Sequence, residues 1–291
     1  MKTLKIIEKT KIWFGISLAI MLLGLVFAIK DGLNYGIDFK GGTLVQIKMN
    51  KEFDKIEVEK ILKKYTNDYT TNEARDKDNN IQLEIRSNSL KDEQIKPMFN
   101  EIKNKYKLKD QDLLSQESIG ASIGKELRQK AILSLVIANI AMLIYVGFRF
   151  EFKFGLSAIL ALVHDILITI SIYAIFQIPI NSSFIAAVLT IVGYSINDTI
   201  VVFDRIRENS KRNRKANEVE IANISIAQTM TRSINTSLTT LFTIAAVYIF
   251  VPSVREFALP LLIGVICGAY SSIFIASPLW TIFRKKGKAL R

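Results

Sequence analysis

FIAAVLTIVGYSINDTIVVF, the run from Phe184 to Phe203, decides the fold. Its 20 residues carry one carboxylate, Asp198, and no Lys or Arg. As a helix rising about 1.5 Å per residue, such a run crosses about 30 Å, the thickness of a bilayer's hydrocarbon core. A carboxylate within a span costs about 2.5–3.5 kcal/mol on insertion scales, so Asp198 should face a helix bundle or a water-filled cavity. Thr190, Tyr194, Asn197 and Asp198 fall at i, i+4, i+7 and i+8 and form one polar stripe. Two readings of the stripe stay open at this point. It is either a hydrogen-bonded packing face between membrane helices or a functional site.

Working outward, five more apolar runs are long enough to span: Ile12–Ile29, Ala131–Phe148, Phe154–Phe176, Ile234–Val251 and Phe257–Phe283. The second to sixth spans are joined by short links, which implies antiparallel neighbours in a compact bundle. The first run follows Lys2 and Lys5 and so resembles a signal peptide. Its length of 18 residues exceeds the usual signal core of about 7–15, and it reads as a membrane anchor. The expected organisation is a tail (1–11), a first span (12–29), a water-facing domain (30–130), spans two to six (131–283) and a second tail (284–291).

Charge supports this division. The chain has 291 residues, 49% of them hydrophobic and 23% charged, with net charge +12. Residues 30–130 hold 20 basic and 18 acidic side chains; the remainder holds 19 and 9. The excess therefore lies beside the apolar spans. There it fits a topology signal and attraction to anionic membrane lipids, and it argues against a nucleic-acid partner. Lys2, Lys5, Lys9 and Lys11, then Arg149 and Lys153, then the loop from Arg205 to Lys215, and finally Arg284 to Arg291 place 17 basic residues on one face. The opposite short loops carry only Arg255. Both termini are thus expected in the cytoplasm of a multi-pass protein of the cytoplasmic (inner) membrane, with 30–130 outside.

The water-facing domain reads as α+β. Thr43–Met49 and Ile81–Arg86 alternate as strands, and Asp112–Ile119 is a candidate last strand. Glu52–Tyr65 and Lys91–Tyr106 have helical spacing. With Tyr69–Arg75 as a second strand, the order strand–helix–strand–strand–helix–strand is ferredoxin-like.

Further polar residues mark the spans. Arg232, Thr236, Thr239, Thr240 and Thr243 form a stripe on the fifth span. Arg232 lies near the depth of Asp198, so it either pairs with that carboxylate or snorkels to the inner interface. His164-Asp165 sits about 15 Å along the third span, by rise per residue. It is either a satisfied packing pair or part of a proton relay. Gly264, Gly268 and Ser272 recur at four-residue steps on the sixth span, a spacing that permits close helix approach. The single cysteine, Cys267, excludes a disulfide within the chain, and no metal-binding pattern is present. Gly120–Glu126 has three residues between its glycines and a Glu where a P-loop needs a hydroxyl, so a nucleotide site is not indicated. No nucleophile elbow or dinucleotide fingerprint appears, and the chain does not read as an enzyme.

Several segments together resemble the SecF family, the membrane subunits that accompany the Sec protein-export channel. Gly36-Ile37-Asp38-Phe39-Lys40-Gly41-Gly42 is similar to the Gly-(Ile/Leu)-Asp-Phe-x-Gly-Gly motif shared by SecD and SecF. Ile119–Leu127, Ala161–Asp165, Gly193–Asn209 and Gly264–Pro278 resemble further family motifs in order. The resemblance implies a six-transmembrane-helix half of an RND-like bundle, with a SecD-like subunit supplying the other half. It implies use of the proton-motive force to draw an exported, unfolded polypeptide out of the Sec protein-conducting channel, with no cofactor. On this reading Asp198 and Arg232, with Asn197, Thr236, His164 and Asp165, form a proton relay. Two alternatives are a structural scaffold of the translocon and half of an RND-type exporter of lipids or small molecules. RND exporters carry two large external loops, and this sequence has one of about 100 residues.

Overall fold

The computed structural model describes residues 5–49, 51–75, 80–149, 151–213, 216–251 and 254–289. Lys2, Arg214, Lys215 and Arg291, which contribute to the orientation argument, lie outside the described residues. From the N-terminus the elements are α1 (Thr10–Lys30), α2 (Ile37–Lys40), β1 (Gly42–Met49), α3 (Lys55–Leu62), β2 (Thr70–Arg75), β3 (Ile81–Ser87), α4 (Asp92–Tyr106), β4 (Leu113–Ile119), α5 (Ala121–Arg149), α6 (Phe152–Ile175), α7 (Ser182–Arg212), α8 (Glu218–Phe250), α9 (Arg255–Ser271) and α10 (Ser277–Ala289). A π-helical turn, Ser272–Ala276, joins α9 to α10. Six helical segments among the described residues are long and apolar enough to cross a membrane, the last being Arg255–Arg284.

The fold class read from the sequence holds: a six-span helical membrane protein with a small α+β domain between its first two spans. Within the bundle α6, α7 and α9 bury about half or more of their apolar windows, whereas α1, α5 and α8 bury little. The first three form the interior, with α1 packed on α6 and α8 packed on α7 and α9. Exposed Ile132, Val136, Ile140 and Ile144 on α5 present an apolar flank suited to lipid. At one end of the bundle Phe154 lies between Phe203 and Trp280, with ring centroids 4.9 and 5.2 Å away. The segment before α1 is held to α8, because Asn223 Oδ1 accepts the N–H groups of Ile6 and Ile7, each at 3.1 Å.

The external domain is a four-stranded sheet in the order β2-β3-β1-β4, all neighbours antiparallel. That order is consistent with the ferredoxin-like arrangement. Alternation explains it: Val45, Ile47, Met49, Leu83 and Ile85 point to one face and are sealed there by Val58 and Leu62 of α3 and Ile95, Met98 and Ile102 of α4. Local signals fix the helix ends. Asp54 Oδ1 accepts Ile56 N–H at 2.9 Å at the start of α3, and the Gln94 side chain accepts Lys91 N–H at 3.0 Å at the start of α4. Such caps satisfy donors that the first turn of a helix leaves open.

Candidate functional site

The Gly36–Gly42 segment fastens the external domain to the bundle. Gly36 N–H donates to Ile180 O at 2.8 Å, and Ile180 N–H donates to Asn34 O at 2.7 Å, a short bridge between the α1–α2 link and the α6–α7 loop. Asp38 Oδ2 accepts Ser182 N–H at 2.8 Å, so this carboxylate caps the start of α7, where the helix dipole favours a negative charge. Gly42 has φ +151°, and a Cβ there would lie 2.6 Å from the Ser87 carbonyl oxygen, so glycine lets β1 enter the sheet beside β3. A second tie runs through Glu256 in the first turn of α9. Its carboxylate accepts from Arg86 of β3 through one oxygen and from Asn181, the N-cap of α7, through the other. Between the polar face of the sheet and the adjoining ends of α6, α8 and α9 lies a cleft of about 400 Å³.

Inside the bundle the structure separates the expected relay residues into two groups. The first is sealed in the interior. Asp165 is fully buried; its Oδ2 accepts Ser195 Oγ–H from α7 at 2.6 Å and Ser271 Oγ–H from α9 at 2.8 Å. Its Oδ1 lies 2.9 Å from His164 Nδ1, and His164 Nε2 lies 2.8 Å from Ser17 Oγ on α1. Tyr270 stacks on the imidazole at 6.0 Å between centroids. The carboxylate and the imidazole beside it thereby gather four helices. Satisfying it within the chain removes most of the cost of burying a charge or a polar group.

The second group lies toward the surface shared by α7 and α8. Asp198 Oδ1 accepts Ser233 Oγ–H at 2.7 Å, while Oδ2 is buried and, among the described residues, accepts no hydrogen bond of good geometry, with the Ser272 hydroxyl close by. Arg232 is close enough to act electrostatically on this carboxylate but makes no ion pair with it within 4.0 Å. Asn197, Arg232 and Thr236 are exposed. Tyr194 ties the two helices by donating to Thr240 Oγ1 at 2.9 Å and Thr236 O at 3.1 Å. Beside Asp198, Thr199 Oγ1 lies 2.9 Å from Ser272 Oγ.

The small-residue face of α9 packs inside the chain. A Cβ at Gly264 would overlap Ile191, and one at Gly268 would lie 3.0 Å from Ser195 Cβ, so both glycines serve the α7–α9 contact. Sequence reasoning did not single out Ser17, Ser195, Ser233, Ser271, Asn181 or Glu256. Glu256 alone carried a usable signal, as a carboxylate in an almost uncharged outer loop. The serines carried none, because in an apolar helix a serine usually bonds to its own backbone.

Taken together, six spans, an external α+β domain anchored on two of them, and carboxylates held by hydroxyls and an imidazole within the bundle define a polytopic membrane protein of the transport type. A family model for the C-terminal region of the SecD/SecF protein export membrane proteins matches residues 99–286, and one for the SecD/SecF GG motif matches residues 26–52. The protein translocase subunit SecF of Sebaldella termitidis is 38% identical, over 97% of this chain and 92% of its own length. That of Haemophilus influenzae is 38% identical over 91% and 82%. The SecDF subunit of Bacillus subtilis is 34% identical over 98% of this chain, which spans 38% of that relative. The crystal structure of SecDF from Thermus thermophilus, a translocon-associated membrane protein, superposes with TM-score 0.84 and 32% identity, over 97% of this chain and 39% of that one. The chain belongs to the SecF family of protein translocase subunits.

Proposed function

We propose that this chain acts with a SecD-type partner to turn the proton-motive force into export of unfolded polypeptides through the Sec protein-conducting channel. The observation that carries the proposal is Asp198. One oxygen is held by Ser233 and the other is buried with no hydrogen bond of good geometry among the described residues, at the margin of a face on which Asn197, Arg232 and Thr236 lie uncovered. Lipid offers no hydrogen bonds to a guanidinium or an amide, so this face calls for a protein partner or water. SecDF relatives, in which this chain's counterpart is 38% or 39% of a longer polypeptide, support a SecD-type subunit as that partner.

In this reading Asp198 takes up and releases the proton. Arg232 supplies the opposing charge, Asn197 and Thr236 line the route, and His164–Asp165 forms the inner part of the relay. A charge moved through 100 mV yields about 2.3 kcal/mol, enough to shift a conformational equilibrium more than tenfold. Asp38 and Glu256 would pass such a change outward, because both join the outer end of α7 or α9 to the external domain. The chain is a transport subunit rather than an enzyme. Both tails and the α7–α8 loop face the cytoplasm, where their basic residues meet anionic lipid, and residues 30–130 face outward.

The test is export of a secretory protein into vesicles bearing the translocase, with and without this chain and with and without a protonophore. The chain is expected to stimulate export, and the protonophore to abolish the stimulation. Equal stimulation in both conditions would contradict the proposal.

A further inference from the structure

Asp165 and Asp198 lie on different helices, α6 and α7, and no hydrogen bond joins them. Two consecutive residues of α9 and its π-helical turn nevertheless reach both surroundings. Ser271 donates to Asp165 Oδ2 at 2.8 Å. Ser272 donates to Gly268 O at 2.8 Å, so the hydroxyl of Thr199, 2.9 Å away and next in sequence to Asp198, is the donor in their contact. Ser272 Oγ also lies within loose hydrogen-bonding reach of the Asp198 carboxylate, whose Oδ2 is buried and, among the described residues, accepts no hydrogen bond of good geometry. Both serines are fully buried.

The backbone at this point is unusual. Ser272–Ala276 is a π-helical turn, and Ser277 Oγ–H donates to Ser272 O at 3.0 Å. A π turn holds one residue more than an α turn, and passage between the two registers re-aims the side chains at its head. The titratable or charged groups around this point are His164 and Asp165 from α6, Asp198 from α7, Arg232 from α8, and Cys267 and Tyr270 from α9.

We propose that the Ser271–Ser272 pair at the head of the π-helical turn is the positioning element that couples the two carboxylates of the bundle. A proton arriving on Asp198 Oδ2 converts an acceptor into a donor, and Ser272 Oγ is the hydroxyl placed to receive it. Turning Ser272 toward Asp198 gives up its contact with Thr199. Because Ser271 is the adjacent residue at the head of the π turn, a change of backbone register that re-aims Ser272 also draws the Ser271 hydroxyl from Asp165. The protonation state at the α7–α8 face is thereby felt at the sealed His164–Asp165 site, and through Ser17 at α1. This rests on the reading that Asp198 titrates.

The test uses the complete translocase with its SecD-type partner, and reads protonophore-sensitive export over a pH series for Ser272→Ala, Ser272→Thr, Asp165→Asn, the double variant Ser272→Ala/Asp165→Asn, and Asp198→Asn. Ser272→Ala is expected to lower the protonophore-sensitive part about fivefold, the effect of losing one hydrogen bond between neutral groups, and to displace its pH midpoint. Ser272→Thr, which keeps the hydroxyl, should retain most of it. The double variant should be no worse than its weaker parent, since coupled sites are not additive. A uniform loss at every pH that Ser272→Thr does not relieve, losses that multiply in the double variant, or a wild-type profile for Ser272→Ala would each overturn the coupling. If Asp198→Asn abolishes the sensitive part while Ser272→Ala leaves it at the wild-type level and pH midpoint, the titration of Asp198 stands and the coupling falls. If neither has an effect, both fall.

Discussion

Asp165 and Asp198 show how unlike the surroundings of two carboxylates in one bundle can be. Asp165 is saturated by two serine hydroxyls and an imidazole. Asp198 keeps an oxygen in reserve beside an uncovered arginine. The carboxylates, the histidine and Arg232 were legible in the sequence because ionisable groups are rare in apolar helices and each demands a reason. Their donors were not legible, because which hydroxyl reaches across to a neighbouring helix depends on helix rotation and crossing, which a single sequence does not encode. The role given to Arg232 has a consequence. Arg232→Lys keeps the charge but not the planar fork, and is expected to retain more protonophore-sensitive export than Arg232→Ala. Equal loss in both would assign the guanidinium's value to its shape rather than its charge.

The helices and strands were set by periodicity, and their packing by a few small residues. Alternation revealed β1 and β3 directly, since Val45, Ile47, Leu83 and Ile85 seal the sheet against α3 and α4. β2, with the sequence TTNEAR, shows no such alternation and was placed only by the order of its neighbours. The π-helical turn left no trace in the sequence, because Ser-Ile-Phe-Ile-Ala suits an α-helix equally well. Ile47 is fully buried between sheet and helices. Ile47→Ala should therefore destabilise the external domain by about 2–5 kcal/mol, seen as faster hydrogen exchange of β1 and β3 amides with the spans unaffected. Gly268→Leu acts inside the bundle. It would push Ser195 from the α7–α9 contact, and with it one of the donors to Asp165. The variant is expected to lose thermal stability and export together; an unchanged melting temperature with intact export would show that α7 and α9 have room to part.

For the whole molecule, the apolar runs and the uneven distribution of basic residues carried most of the architecture, and the family motifs carried the identity. The shape of the uncovered polar face was out of reach, since burial within one chain decides which polar stripe remains exposed, and only the folded bundle shows Asn197, Arg232 and Thr236 left outside. Orientation is testable directly. The single native cysteine, Cys267, is buried, so an introduced one reports cleanly. Lys96→Cys on α4 should react with an impermeant maleimide added to intact cells, and Lys211→Cys should not; labelling of the latter from outside would invert the topology. The central claim, that Asp198 carries the proton whose passage drives export, is tested most directly by Asp198→Asn in the assembled translocase, measuring export under a full proton-motive force. The amide preserves the size of the side chain and cannot titrate. Normal assembly with loss of the protonophore-sensitive component is the predicted result; export equal to wild type would contradict the account.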